Sequence, residues 1–506
     1  MTTPAPPDTA ALNARAWERI EQGDVAGAFE LLQAALRLVP NDPSTLVNIA
    51  ALLRAQGRLR DAVLYCDAAI NAAPNYADAW LERGYVLASG GSNAAAIECY
   101  RRVIALEPGN AAAHAGLAAF AARDGDYASG TDHAEKALAS DPGNAVATAA
   151  LATIALETGQ PARACDLLEP HLVALDRPST DRALMLNQLG DAFSKLGEPG
   201  KAYDAYVRSN RDFATINQAS VAGRQTPTDF VNAVTAGIAT MNPALWRKAK
   251  PAALPNQAAR HLFLLGHPRS GNTLVETILA SIDGVVALEE RSTLVAADME
   301  FLVGENGLAR LSALTQSAIE PYRRAYWDKV ESTAPGARGQ TLLDMDPLKS
   351  LRLPLIARLF PEARVILMRR DPRDVVWSCF HTYFVLSNAA MAFTTLEATA
   401  RHYDAVMRLT EAAIERLPLN VHVVRYDQLV GDFEATTRAL CEFAGLPWHA
   451  ELIRFDRTAR VRGVSTASAT QVRKPLYDGT RQWEPYAPFL AEVTPILAPW
   501  IERFGY

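Results

Sequence analysis

A chain of 506 residues, at roughly 100–200 residues per domain, has room for two to four domains, and its 49% hydrophobic content supplies a core for each. Its 50 Lys and Arg against 56 Asp and Glu leave a formal charge of −6, which excludes a global basic field for nucleic acid or an anionic membrane; any anion site must be local. The stretch from Met1 to Ala11 holds no basic residue and no long apolar core, and no run of eighteen apolar residues follows, so the expectation is a soluble, cytoplasmic protein with no membrane span and no nucleic-acid partner. Cys66, Cys99, Cys165, Cys379 and Cys441 are odd in number and widely spaced, without a CxxC pair, which predicts reduced core thiols rather than disulfides or a zinc site.

The first half repeats. Pro40, Pro74, Pro108 and Pro142 stand 34 residues apart, and Gly23, Gly57, Gly91, Gly125 and Gly159 keep the same step. Five positions after these glycines stand Ala28, Ala62, Ala96, Gly130 and Ala164. The pattern predicts two helices per unit: glycine serves the turn inside the pair, the small residue permits close helix packing, and proline ends the second helix. A unit of this kind cannot bury its apolar face alone and needs its neighbours. The period resembles the tetratricopeptide repeat over about residues 10 to 176, with a looser unit around Gly197 and Ala202. The resemblance implies a superhelix, assigned to 10–212, that recruits a peptide or protein substrate; a scaffold or a homodimerisation surface is the alternative role.

From about Phe213 the repeat fades, and Pro243, Pro251 and Pro255 bracket a Lys- and Ala-rich stretch, which reads as a helical linker over 213–258. Beyond it, from 259 to 506, short apolar runs alternate with helical patterns: HLFLL at 261–265, VVAL at 285–288, TLL at 341–343, RVILM at 364–368 and VHVV at 421–424. The fold class is therefore an all-α repeat solenoid followed by an α/β domain with a parallel sheet.

Charged residues gather just after these runs, where open parallel sheets bind ligands. The first run leads into Gly266-His267-Pro268-Arg269-Ser270-Gly271-Asn272-Thr273, a Gly-bounded loop entering a helix, the layout that turns backbone N–H groups toward a phosphate. Asn272 stands where a nucleoside triphosphatase needs lysine, which disfavours ATP or GTP hydrolysis. The fourth run leads into Arg370-Asp371-Pro372-Arg373-Asp374, with Ser378 two helical turns along, so a guanidinium and a hydroxyl can clamp a second phosphate. A surface salt-bridge cluster is the alternative for that segment.

At these residues the chain resembles sulfotransferases that use 3′-phosphoadenosine 5′-phosphosulfate (PAPS) and release 3′-phosphoadenosine 5′-phosphate (PAP). Pro268 to Thr273 resembles the family's PRSGTT loop, Arg370 to Ser378 its RDPRDxxxS motif, and Thr466 to Pro475 the TAS-x-x-QVR-x-P segment of bacterial tetratricopeptide-repeat sulfotransferases, relatives of the tyrosylprotein sulfotransferases. The resemblance covers 260 to about 490 and implies a P-loop-like sulfotransferase fold. It implies that Arg269, Ser270, Gly271, Asn272 and Thr273 hold the 5′-phosphosulfate, that Arg370 and Ser378 hold the 3′-phosphate, and that Tyr426, Ser468 and Lys474 complete the cofactor site. Glu290, 21 residues after Arg269 in the sequence LEER, falls where the family keeps its general base in a GEET stretch. Arg269 doubles as the cation on the leaving oxygen, and the implied chemistry calls for no metal.

The chain departs from the family at Asp344-Met345-Asp346-Pro347, where Met345 replaces the lysine that neutralises the leaving group. Lys349 reaching inward, Arg269 alone, or a nucleotide-binding scaffold with little turnover are the readings this leaves. Asn272 in place of threonine keeps an amide able to donate to a phosphate oxygen. The acceptor, whether a tyrosine, a carbohydrate or a lipid, is not written in the sequence.

Overall fold

Proline and glycine punctuate the first half where their backbone chemistry requires it. The computed structural model describes residues 8–246, 252–303, 306–462 and 469–506. By its internal contacts the chain divides into two compact units, one comprising Met1–Arg177 and Leu184–Glu198, the other Pro178–Ala183 and Pro199–Tyr506.

The first unit is an array of helix pairs, beginning with Thr9–Glu21 and Val25–Leu38, then Pro43–Ala55 and Leu59–Ala72, and so on to Ala145–Glu157 and Pro161–Ala174. Gly23, Gly57, Gly91, Gly125 and Gly159 all lie in the left-handed region, with φ between 74° and 86°, which a residue with a Cβ enters only at a cost. The small residues five positions on are fully enclosed: Ala28, Ala62, Ala96 and Ala164 expose 0% of their surface. The residue two places after the proline adds a function of its own. Asp42, Asn110 and Asn144 accept from the backbone N–H groups of Thr45, Ala113 and Ala147, capping the next helix. Proline thus stops one helix and its neighbour starts the following one.

Inside the array Tyr100 is a wedge. It is buried, and a Cβ placed on Gly84 or on Gly116 would lie 2.5 Å and 2.7 Å from its ring. Both glycines sit in helix interiors, where glycine costs about 1 kcal/mol against alanine, so room for the ring offsets that loss.

In the second unit, among the described residues, five strands form one parallel sheet: β1 (Arg260–Leu265), β2 (Val285–Glu289), β3 (Thr341–Met345), β4 (Arg364–Arg369) and β5 (Asn420–Arg425), in the order β2-β3-β1-β4-β5. Every run read as a strand from the sequence is one. The sheet extends leftward from β1 to β3 and β2 and rightward to β4 and β5, so the switch point for ligand binding falls at the carboxyl ends of β1 and β4. Register carries Phe263 opposite both Asp344 and Val365. One face of the sheet packs Leu262, Leu264, Leu343, Met345, Ile366 and Met368 against Val275, Ile278 and Leu279 of the helix Asn272–Ala280.

Two helices preceding the sheet belong to this unit. Helix Pro199–Val221 donates from the Asn210 amide to the Phe380 carbonyl at 2.9 Å and stacks Tyr203 on Phe489 at 4.2 Å, while helix Pro227–Thr240 packs along Leu396–Arg416. No helix among the described residues is long and apolar enough to cross a membrane. All five cysteines are buried, and none forms a disulfide.

The wedge is testable. Gly116→Ala is expected to destabilise the repeat unit by about 1–3 kcal/mol through overpacking, measured by urea denaturation. In a Tyr100→Ala background the same change becomes neutral or stabilising through helix propensity. An equal loss in both backgrounds would show that the ring does not set the glycine requirement.

Candidate functional site

Strand β1 delivers the chain into the Gly266–Gly271 loop, and the loop is braced from inside. Ser350 holds its start, accepting from the Gly266 N–H at 3.1 Å and donating to the Gly266 carbonyl at 2.7 Å. Asn272 donates through its side-chain amide to the His267 carbonyl at 2.9 Å. Gly271 has φ 100°, and a Cβ there would come within 2.8 Å of the Tyr426 ring, so the loop closes on Tyr426 because position 271 carries no side chain.

Strain collects at the same place. Non-glycine residues with positive φ among the described residues are Asn41, Arg269, Glu290, Asn306 and Arg481. Asparagine tolerates that region; arginine and glutamate do so poorly. Those three, Arg269, Glu290 and Arg481, stand at the ends of β1 and β2 and on the C-terminal segment that covers them, which is how backbone strain is spent at a working site.

The two arginines meet. Arg269 donates from Nε to the Ser378 hydroxyl at 3.0 Å and from Nη2 to the Gln471 side-chain oxygen at 3.4 Å. Burial, with Arg370 nearby, pushes its guanidinium below the ordinary arginine value. Arg370 donates from Nη1 to the Arg269 carbonyl at 2.9 Å and from Nη2 to the Gly479 carbonyl at 2.6 Å, and lies 4.7 Å over the Tyr426 ring. Its Nε is buried without a hydrogen-bond acceptor, Asp374 standing 3.9 Å away. Both arginines line one cavity of about 560 Å³, counted with its open mouth, together with Gly271, Thr273, Tyr426 and Tyr477. A segment near the C-terminus is tied beside it: the Arg481 and Trp483 backbone N–H groups donate to Asp374 at 2.9 and 3.1 Å, and Tyr486 stacks on Trp377 at 3.7 Å.

Glu290 follows β2 and is held there by its backbone N–H on the Met345 carbonyl at 2.8 Å. Its side chain is exposed and is not among the residues that line the cavity of the two arginines. Burial first, then the Asp346 and Glu289 carboxylates, push its carboxyl up to about 7 against the pull of Arg269. Other titratable groups nearby are far from neutrality: burial drives His267 and His381 down to about 3 and Cys379 up to about 12. Of these four groups Glu290 is the one whose proton is exchangeable near physiological pH.

Residues 261–450 match the profile of the sulfotransferase family, and residues 19–83 and 81–145 match two tetratricopeptide-repeat profiles. The chain joins tetratricopeptide repeats to a sulfotransferase-family domain. An uncharacterized protein of Aquifex aeolicus (strain VF5) is 27% identical over 271 residues, covering 51% of this chain and 35% of its own. Protein-tyrosine sulfotransferase 1 of Danio rerio is 25% identical over 261 residues, covering 48% of this chain and 72% of its own. The chain spans about a third of the length of the Aquifex relative. A crystal structure of a tetratricopeptide repeat protein from Parabacteroides merdae ATCC 43184 aligns with TM-score 0.33 and 16% identity, over 42% of this chain and 86% of that one.

Within the sulfotransferase-family domain the residues singled out from the sequence fall unevenly. Arg269, Gly271, Thr273, Arg370 and Tyr426 line the cavity, and Ser270 and Ser378 are buried beside it. Ser378 differs from the expected arrangement, since its hydroxyl meets Arg269 rather than facing outward with Arg370. Asn272 differs too: its amide is committed to His267, and this leaves its backbone N–H, not its side chain, for a ligand. Lys474 is exposed, its backbone N–H on the Gln471 carbonyl at 3.2 Å. Ser468 lies outside the described residues.

The DMDP segment resolves differently from its sequence reading. Asp344 and Met345 belong to strand β3 and are both fully buried. Met345 packs in the apolar cluster beneath the Asn272–Ala280 helix. Lys349 does reach inward, but onto Asp344 and the Arg291 carbonyl, the latter at 2.7 Å. Asp344 also accepts from Tyr326 at 2.8 Å and Thr293 at 3.0 Å. This buried carboxylate therefore ties down the backbone that follows Glu290, a positioning role missed in the sequence. The signal was there: one acid interrupting an apolar run, Thr341 to Met345, is unaffordable without dedicated partners.

Two outcomes follow from this geometry. Because folded Glu290 holds its proton near 7 against an ordinary 4.5, the folded state binds more proton across that window, and its ionisation drains stability as pH rises through it. Glu290→Gln is therefore expected to stabilise the domain relative to the parent above pH 7, with the difference fading below pH 4.5; denaturation curves that run parallel across pH would refute the assignment. Met345→Lys, which restores the family residue in sequence, is expected to cost about 3–5 kcal/mol as an uncompensated buried charge. A loss under about 1 kcal/mol would show that position 345 reaches solvent.

Proposed function

We propose that this chain moves a sulfuryl group from PAPS to a hydroxyl, that of a tyrosine in a peptide or protein recruited by the repeats, and releases PAP. The observation that carries this reading is the convergence of Arg269 and Arg370 on one cavity with the near-neutral Glu290 within electrostatic reach of Arg269. The residues fit such a donor: the volume lies in the range of small-molecule sites, the Arg370 Nε lacks an acceptor, and the loop's N–H groups open a helix.

Arg269, Ser270, Gly271, Thr273 and the backbone of Asn272 would hold the 5′-phosphosulfate, Arg370 and Ser378 the 3′-phosphate, and Tyr426 the adenine, with Ser468 and Lys474 contributing from the C-terminal segment. When bound, the donor supplies an electrophilic sulfur. Glu290 then takes the proton of the attacking hydroxyl; a phenol loses it unaided only near pH 10, and a base titrating near 7 balances being ionised against being strong enough to accept. Arg269 faces the negative charge that accumulates on the leaving nucleotide, in a water-poor setting where one guanidinium counts for more than in bulk.

Radiolabelled sulfate is expected to pass from the donor to a tyrosine-containing peptide. Glu290→Gln should lower that rate by about 10²–10⁴-fold while leaving PAP binding intact by calorimetry, and kcat/KM should fall on the acid side of pH 7. Arg370→Ala should instead weaken PAP. Transfer that survives Glu290→Gln, or PAP affinity indifferent to Arg370, would remove the proposal. One observation favours a second reading, a nucleotide-binding scaffold with little turnover: the family lysine position holds core-packed Met345, and Lys349 is engaged by Asp344. Tight PAP binding without transfer to peptide, carbohydrate or lipid acceptors would decide for it.

A further inference from the structure

The amino ends of β1 and β4, opposite the loops described above, line a second cavity of about 960 Å³ including its mouth. Three arginines border it, Arg260, Arg323 and Arg364, against one carboxylate, Glu362. Among the described residues, the side-chain hydrogen-bond partners of Arg323 and Arg364 are backbone carbonyls rather than carboxylates. Arg364 donates to the Phe443 carbonyl at 2.6 Å and Arg323 to the Ala252 carbonyl at 2.7 Å, so the hydrogen bonds of both guanidinium groups go to neutral oxygens, with Glu320 and Glu362 acting on Arg323 only through space.

Two buried donors in this lining have no acceptor. Arg323 and Trp327 are 5% and 3% exposed, and Arg323 Nε and Trp327 Nε1 make no hydrogen bond. Buried donors left unpaired cost about 1–3 kcal/mol each, and a native fold carries few of them. The neighbouring His261 does not fill the gap as an anion or a cation. Its Nε2 sits 2.7 Å from the Tyr326 hydroxyl, which itself donates to Asp344, so His261 is the donor and is neutral; burial holds it at about 3.

We propose that this cavity binds a small oxyanion, sulfate, phosphate or their monoesters, between Arg260, Arg323 and Arg364 with the Trp327 indole N–H as a further donor. Guanidinium groups match tetrahedral oxyanions with paired N–H bonds, and an acceptor entering here would satisfy donors that the protein leaves open. The site lies at the other end of the sheet from the sulfotransferase-family loops and does not depend on what those loops bind.

The Trp327 indole is its reporter. In isotope-labelled full-length protein, the indole resonance missing from Trp327→Phe is followed as sulfate or phosphate replaces chloride at constant ionic strength. A saturable shift with Kd on the order of 1 mM or tighter is expected. It should weaken roughly tenfold or more in Arg260→Gln, a change at the exposed rim, and in Arg323→Gln. Phenyl sulfate serves as the monoester probe: tighter binding than free sulfate assigns the site to an ester, equal binding to the free ion. A resonance that ignores all three probes, or that saturates in Arg260→Gln and Arg323→Gln at the same concentration as in the parent, overturns the proposal.

Discussion

Two guanidinium groups held side by side out of water are the constraint on which the domain's arrangement turns. Arg269 is pushed down by burial and by Arg370, and Arg370 leaves its Nε without an acceptor. Like charges in a poorly hydrated recess repel strongly, so each needs fixed neutral acceptors to stay in place: the Ser378 hydroxyl, the Arg269 carbonyl, the Gly479 carbonyl. Those acceptors come from three separate stretches of chain. The strained Arg269 backbone, the glycine beneath Tyr426 and the folded-back C-terminal segment are all consequences of bringing them together.

Much of this was legible in the sequence because it repeats or punctuates. A 34-residue glycine and proline ladder fixes helix ends by backbone rules that no packing detail overrides, and apolar runs of three to five residues between helical patterns mark the strands of a parallel sheet, the central ones buried on both faces. What the sequence hides is direction. It could place Arg269, Arg370 and Ser378 near one end of the sheet, but not that Ser378 would turn to Arg269, nor that the Asn272 amide would be used up inside its own loop. Whether a polar side chain faces a ligand or a neighbour depends on a hydrogen-bond geometry of tenths of an ångström, which residue spacing does not encode. Helix Pro199–Val221 makes the same point at larger scale: Gly197 just before it and its own Ala202 keep the repeat's marks, yet the helix's contacts place it with the second unit.

The buried acid Asp344 shows how far the sheet's interior reaches into chemistry. It receives Lys349, Tyr326 and Thr293, and Lys349 in turn grips the carbonyl of Arg291, one residue after Glu290. A fully satisfied polar hub of this kind specifies one backbone path where an apolar core would permit several. It also explains how a glutamate can be kept at φ 46° without the turn relaxing.

Asp374 clasps the C-terminal segment through main-chain N–H groups of Arg481 and Trp483, not through their side chains. Such a clasp is blind to the identity of the residues it holds. The exposed side chains of Arg481 and Gln482 are therefore at liberty to diversify, while Gly479, against the Tyr426 hydroxyl, and Trp483, under Arg373, have no such latitude.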